Sequence, residues 1–275
     1  MEWNWLSGIL YGIVAGVFEF LPISAETHQV LGSHLLGMPA VPGGLSLGVH
    51  LGCVLAVIVS FYSYIERLRR EQKIAVIAPR RRKRQPDVAS LMEIRLLKVA
   101  VIPAVLSCVA APFLRGLLSL RWAVALLTAV NAFLVLLPQY TRTANKDSRS
   151  LSGLDALLIG LSGILGAVPG ISRVGMMTTV GSLRGADRTF ALNFTYLLSL
   201  PVLVGLAVGD VWMLFSGTGT GIGLLPGILA FLASFGAGLV GIRFMQFLAV
   251  RVGYSAFSYY GWGLSMMIFV LYLIG

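Results

Sequence analysis

Glu19-Phe20-Leu21-Pro22-Ile23-Ser24-Ala25-Glu26-Thr27-His28 is a polar stretch inside a very apolar chain. A second one, Pro169-Gly170-Ile171-Ser172-Arg173, begins 150 positions after Glu19. An ionisable side chain at membrane depth costs several kcal/mol unless it faces a cavity or a partner, so both stretches are functional candidates. Glu19 and Arg173 carry opposite charges and can answer each other.

The surroundings make the membrane reading firm. Of 275 residues, 57% are hydrophobic and 12% charged, and the mean hydropathy is +0.87. Uncharged runs recur at 29–65, 99–114, 122–141, 156–172, 189–209, 211–242 and 252–275. Most supply the roughly 20 apolar residues a spanning helix needs, which predicts six to eight membrane segments and one integral domain over 1–275. The apolar N-terminal stretch lacks a basic region and a small-residue cleavage site, so it does not read as a removable signal. A net charge of +10 raises the question of nucleic acid, but almost half of the cations crowd into 67–84 beside a membrane helix. Such a patch orients the chain and attracts anionic lipid. Cys53 and Cys108 lie in apolar segments without metal-ligand spacing and read as packing residues.

Lys and Arg in short loops mark the cytoplasmic side. The basic loop 65–95 holds Arg67, Arg69, Arg70, Lys73 and the run Arg80 to Arg84, and a second loop, 139–151, holds Arg142, Lys146 and Arg149. Stretches 62–92 and 139–151 are the only loops of size expected. Tracing from these anchors brings both polar motifs to the extracytoplasmic face, motif one over 12–28 and motif two over 169–178.

Leu21-Pro22-Ile23-Ser24 echoes Val168-Pro169-Gly170-Ile171-Ser172, each after a Gly-rich apolar run. Proline removes a backbone donor and glycine permits unusual dihedrals, so each motif reads as a break inside a membrane helix. Irregular backbone at that depth survives where it lines protein or a wet cavity, and inverted repeats place such breaks at their interface. The expected fold is an all-α polytopic integral membrane protein, a helical bundle with two re-entrant or broken helices related by an inverted repeat.

Arg173, at the start of a predicted helix over 174–183, offers a guanidinium fork and free backbone N–H groups, both suited to phosphate oxygens. Arg184 and Arg188 read as interfacial anchors. Glu19, Glu26 and His28 bring complementary chemistry, since a carboxylate holds a divalent ion or moves a proton and an imidazole attacks phosphorus or protonates a leaving group. Ser24 and Ser172 are either nucleophiles or phosphate donors, or else backbone caps. His34 and His50 read as interfacial or buried histidines with satisfied hydrogen bonds rather than metal ligands.

The chain resembles the bacterial undecaprenyl-diphosphatase, or bacitracin-resistance, family over essentially its whole length. Where the family's first motif reads G-I-V-E-G-x-T-E-F-L-P-I-S-S-T-G-H, this chain runs from Gly12 through Ala15, Glu19, Ser24, Ala25 and Glu26 to His28. The family's P-G-x-S-R-S-G-A-T appears as Pro169 to Met177, and an L-H-x-G-like segment as Val49-His50-Leu51-Gly52. The resemblance implies a periplasm-facing hydrolase of the bacterial inner membrane that removes the terminal phosphate of a C55 polyprenyl diphosphate. That reaction recycles the lipid carrier for peptidoglycan and underlies bacitracin resistance. It further implies that Arg173, with Ser172 and Gly170, holds the phosphates, that Glu19, His28 and Ser24 are catalytic, and that Glu19 binds a Mg or Ca ion; Glu26, outside the family pattern, is this chain's own candidate for catalysis and for the ion. The expected partners are the polyprenyl diphosphate lipid, the membrane and a second copy of the chain, not nucleic acid.

This chain departs from the pattern at Ala15 (glutamate in the family), Ala25 (serine), Val174 (serine) and Met177 (threonine). Each lost transition-state contact costs about 2–4 kcal/mol, and Glu26, where the family has threonine, is the candidate replacement. The alternative reading is a non-hydrolytic polyprenyl-phosphate binding protein or translocase that keeps Arg173 as its anion clamp.

Overall fold

In the computed structural model the described residues are 3–141, 145–216, 224–251 and 254–274; Arg142 of the second basic loop lies outside them. They form α1 (Trp5–Phe18), α2 (Ala25–Leu36), α3 (Gly43–Ser60), α4 (Tyr62–Val76), α5 (Val88–Leu114) and α6 (Arg121–Leu136). The second half holds α7 (Gly153–Leu165), α8 (Arg173–Leu183), α9 (Arg188–Phe215), α10 (Leu224–Arg251) and α11 (Ser255–Ile274). No strand occurs among the described residues, only an isolated bridge between Lys146 and Ala186. The helices α3, α5, α6, α9, α10 and α11 are long and apolar enough to cross a membrane, so the chain is an all-α multi-pass membrane protein.

Both expected breaks are present. The first separates α1 from α2 over residues 19–24 and the second separates α7 from α8 over 166–172. Ser24 and Ser172 cap the helices that follow, each accepting a backbone N–H three residues on. Gly170 has φ +98°, and a Cβ there would lie 2.9 Å from Leu127 Cβ and 3.0 Å from Val124 O of α6. Only glycine makes this turn.

Each break is the tip of a hairpin, and the two hairpins enter from opposite ends of the bundle. Trp3 Nε1 donates to Ala40 O (3.1 Å), which ties together the open ends of α1 and α2. At the other end Arg184 Nε donates to Asp155 Oδ1 (2.6 Å), which ties α8 back to the start of α7. With 13 residues, α7 reaches about 20 Å, short of the roughly 30 Å hydrocarbon core. The tips therefore meet in the interior. This corrects the expectation that both motifs arrive at one outer face: α7 does not cross, because its chain turns back at Pro169 and Gly170.

Glycine stripes hold the hairpins. On α1, Gly8, Gly12 and Gly16 face Pro226, Ala230 and Ser234 of α10 in step, so the two helices run parallel. A Cβ at Gly12 would lie 2.6 Å from Ala230 O. Small residues let membrane helices approach closely where lipid provides no hydrophobic drive. The second half repeats the device: Gly160 and Gly163 of α7 face Ala100 and Ala104 of α5. Each hairpin thus packs on the penultimate long helix of the other half, while α3 meets α9 and α6 meets α11. This exchange is the packing an inverted repeat produces.

The stretch expected as a basic loop, 65–95, is mostly helical. Arg67, Arg69, Arg70 and Lys73 lie on α4, α5 already begins at Val88, and the connection covers only 77–87. Charge density marks an exposed surface, and on a helix Glu66 and Arg70 sit at a favourable i, i+4 spacing. The connection is pinned by Arg84, which donates to both oxygens of Glu71 (2.5 and 3.0 Å). Asp87 N–H adds a bond to Glu71 Oε2 (2.9 Å). The described part of the second basic loop lies alongside, with Arg149 Nη2 3.7 Å from Asp87 Oδ1 and Ser148 Oγ donating to Ala89 O (2.9 Å). Both basic segments therefore share one end of the bundle, and α5, 27 residues long, carries Arg115 about 40 Å away at the other.

Candidate active site

The two tips are fastened by backbone hydrogen bonds that local sequence does not supply. Ser172 Oγ donates to Leu21 O (2.8 Å) and accepts from Gly175 N–H (3.0 Å). Asn131 of α6, 2% exposed, accepts from Ser172 N–H through Oδ1 (2.9 Å) and donates to Pro22 O through Nδ2 (3.1 Å). Tyr196 of α9 donates to Phe20 O (2.9 Å). Broken helices leave backbone groups without intrahelical partners, and burial makes each unmet one costly. These three side chains meet that demand and fix the tips in register.

On this frame Arg173 Nη1 lies 2.9 Å from Glu19 Oε1, with side chains 10% and 18% exposed. The opposite charges noted in the sequence thus form an ion pair. Two charged side chains of the tips each have an atom buried without a protein partner, Arg173 Nε and Glu26 Oε2. Buried polar atoms are nearly always bonded, so this pair of orphans marks where a ligand's oxygens or a cation fits. Arg173, Glu19, Arg115 and His50 all act electrostatically on Glu26. Asp210, Glu26 and Glu19 act in the same way on Tyr11 of α1. Polar groups of α1, α2, α3 and α9 therefore lie within electrostatic reach of one another.

Of the residues expected from sequence, Glu19, Glu26 and Arg173 come together here. Ser24 stands beside them, its Oγ carrying one long capping bond from Thr27 N–H (3.4 Å). Ser172 instead commits its hydroxyl to Leu21 O, and Gly170 turns against α6. Both build the site rather than line it. His28 points elsewhere. Its Nδ1 lies 3.0 Å from Ser24 O, an acceptor, so that nitrogen carries the proton and Nε2 accepts from Tyr260 OH (2.8 Å). Phe18 stacks on the ring at 3.5 Å between centroids. Both ring nitrogens are occupied, Nδ1 at the cap of its own helix and Nε2 at α11. Arg184, read as an interfacial anchor, is paired with Asp155 at the opposite end.

The polar groups that sequence reasoning missed are Asn131, Asp210 and Arg115. Asp210 is 1% exposed and accepts from His50 Nδ1 (2.5 Å) and Arg115 Nη2 (3.4 Å), so His50 has a buried hydrogen-bond partner, as expected, through one of its ring nitrogens. A lone carboxylate in the apolar run of α9 was itself the signal. Among the described residues no three His, Cys, Asp or Glu side chains converge in a way that holds a metal ion. The donor set present, Glu26 with one open oxygen and Glu19 shared with Arg173, suits a hard divalent ion that takes most of its remaining ligands from water and phosphate, as magnesium does.

Residues 8–267 match the family model described as bacitracin resistance protein BacA. The chain is 30% identical to a protein of Rubrobacter xylanophilus named undecaprenyl-diphosphatase, with 98% of each chain covered. A Parvibaculum lavamentivorans protein of the same name is 31% identical over 94% of this chain and 92% of its own. A third, from Thermodesulfovibrio yellowstonii, is 27% identical over 96% of both. A match of this extent, on a bundle whose two broken hairpins bring Glu19, Glu26 and Arg173 together, places the chain in the bacitracin resistance protein BacA family.

Proposed function

We propose that this protein hydrolyses undecaprenyl diphosphate to the monophosphate and inorganic phosphate, recycling the carrier for peptidoglycan and conferring bacitracin resistance. The observation that carries this reading is the Glu19–Arg173 pair beside the unpartnered Glu26 oxygen at the joint of the two tips. It is supported by relatives that bear the name undecaprenyl-diphosphatase. The headgroup enters between α1, α2 and α3 while the prenyl tail stays in lipid against the apolar outer faces of the helices.

Arg173 clamps the terminal phosphate, releasing Glu19 as its donors turn to phosphate oxygens. Ser24 O–H donates to the same group. Ala25 offers no hydroxyl and Ser172 has spent its own, so water is the nucleophile. Glu26 accepts the proton of that water as its oxygen bonds to the terminal phosphorus. The bond from phosphorus to the bridging oxygen breaks, and its electron pair leaves on the lipid monophosphate. Glu19 and Glu26 would hold a Mg or Ca ion, whose charge offsets that of the diphosphate.

The orientation is part of the proposal. The shared basic end is cytoplasmic by the positive-inside rule, so the site opens through the Arg115 end to the periplasmic side of the inner membrane. Pairing of two copies is a separate element, checked by light scattering in detergent.

A second reading, a protein that binds polyprenyl phosphate without hydrolysis, is favoured by Ala15 and Ala25, which leave methyl groups where the resemblance expects a carboxylate and a hydroxyl. Phosphate release from C55 and C15 prenyl diphosphates, with magnesium, calcium or a chelator, separates the two. Metal-dependent release that disappears in Glu26→Ala and Arg173→Ala supports the phosphatase. Intact lipid binding with no release supports the carrier.

A further inference from the structure

Asp210, almost fully buried near the end of α9, is shared by His50 of α3 and Arg115 just after α5. Neither partner is fully used. Arg115 meets the carboxylate through one nitrogen at 3.4 Å and reaches the Met213 sulfur with another (2.8 Å), and its side chain is 40% exposed. A bond of 3.4 Å lies beyond the usual range for N–H···O, and Nε makes no bond among the described residues, so the guanidinium keeps donors open to an anion. His50 spends Nδ1 on Asp210, and Nε2 has no protein partner among the described residues. One buried carboxylate thus steers an imidazole and a guanidinium without consuming either.

The trio also lies close to the first tip: Gly16, a turn before Glu19, packs on Ser234, whose Oγ donates to Val49 O beside His50 (3.4 Å). Arg115 and His50 act on Glu26, and Tyr11 feels Asp210, Glu26 and Glu19 together. Glu26 thus feels two sets of donors, Arg173 on the second tip and Arg115 with His50 at Asp210. A diphosphate carries two phosphoryl groups and asks for two such stations; a monophosphate asks for one. We propose that Arg115 and His50, set by Asp210, form a second phosphate subsite that selects polyprenyl diphosphate over polyprenyl monophosphate. This rests on the lipid-phosphate reading above but not on hydrolysis, since selection between the two headgroups is a binding property.

The test uses full-length protein in lipid nanodiscs with two probes, farnesyl monophosphate and the non-hydrolysable methylene analogue of farnesyl diphosphate. Wild type is expected to bind the diphosphate analogue at least tenfold more tightly. Loss of one charge-assisted contact in Arg115→Ala or His50→Gln lowers diphosphate affinity by roughly tenfold and leaves monophosphate affinity unchanged. Arg173→Ala weakens both ligands. Arg115→Lys, which keeps the charge, retains part of the preference and covers the case in which the alanine variant does not fold. Equal affinities in wild type, or variants that weaken both ligands alike, overturn the proposal. Phosphate release from farnesyl diphosphate in the same nanodiscs judges the phosphatase reading separately: a preserved headgroup preference without release sinks that reading alone.

Discussion

Replacing Asn131 with leucine tests whether one amide on α6 holds the two broken helices together. The side chain keeps its approximate volume but loses both hydrogen bonds, leaving Ser172 N–H and Pro22 O buried without partners. An unmet buried group costs about 1–3 kcal/mol, so the two together cost roughly 2–6 kcal/mol. Near the melting temperature this corresponds to a fall of at least about 4 °C for a chain of this size. Phosphate release is expected to drop further than stability, because the bonds set the spacing between Glu19 and Arg173 across the two tips. Thermal unfolding followed by circular dichroism in detergent, beside the release assay, measures both. Thr128→Val serves as the control, since its hydroxyl bonds to Thr27 (2.9 Å) and to no backbone group of either break. An Asn131→Leu protein that melts within about 1 °C of wild type, with activity intact, refutes the role assigned to the amide.

Arg173→Ala leaves Glu19 partly buried without its cation and is expected to destabilise by about 3 kcal/mol; Glu19→Gln in the same chain restores much of that stability and no activity, as thermal melts and phosphate release will show. Gly12→Val drives a side chain into the Ala230 carbonyl and costs at least about 1–3 kcal/mol. Gly32→Ala, with nothing within 4 Å of its new methyl, raises stability by about 0.5–1 kcal/mol. Hydrogen bonds from Arg84 and Asp87 N–H hold the Glu71 carboxyl below the usual carboxylate range. That contribution is present above the unfolded value near about 4.3 and is lost as pH falls through the lower folded value. Proteolysis within 77–87 is expected to accelerate only on strong acidification, and Glu71→Gln to abolish the pH dependence.

The membrane class, both helix breaks and the charges at Glu19 and Arg173 were legible because each is local. Apolar content fixes the solvent, Pro22, Pro169 and Gly170 interrupt helix by their own covalent geometry, and an ionisable group in an apolar run is conspicuous wherever it lies. The basic stretch 65–95 was misread as loop because charge reports exposure, whereas α4 shows that an exposed segment can still be helical. Which side each hairpin enters from was beyond the sequence, because a 13-residue apolar segment such as α7 has the composition of a crossing and only its packing on α5 shows that it turns back. The partner of His50 was hidden for the same reason. His28 lies in the motif but its ring nitrogens are taken by Ser24 O and Tyr260, while His50 reaches the site through Asp210, 160 residues away. Partners at that separation are chosen by how helices pack, through glycine stripes and buried hydrogen bonds, so only the assembled bundle decides which polar groups share a cavity.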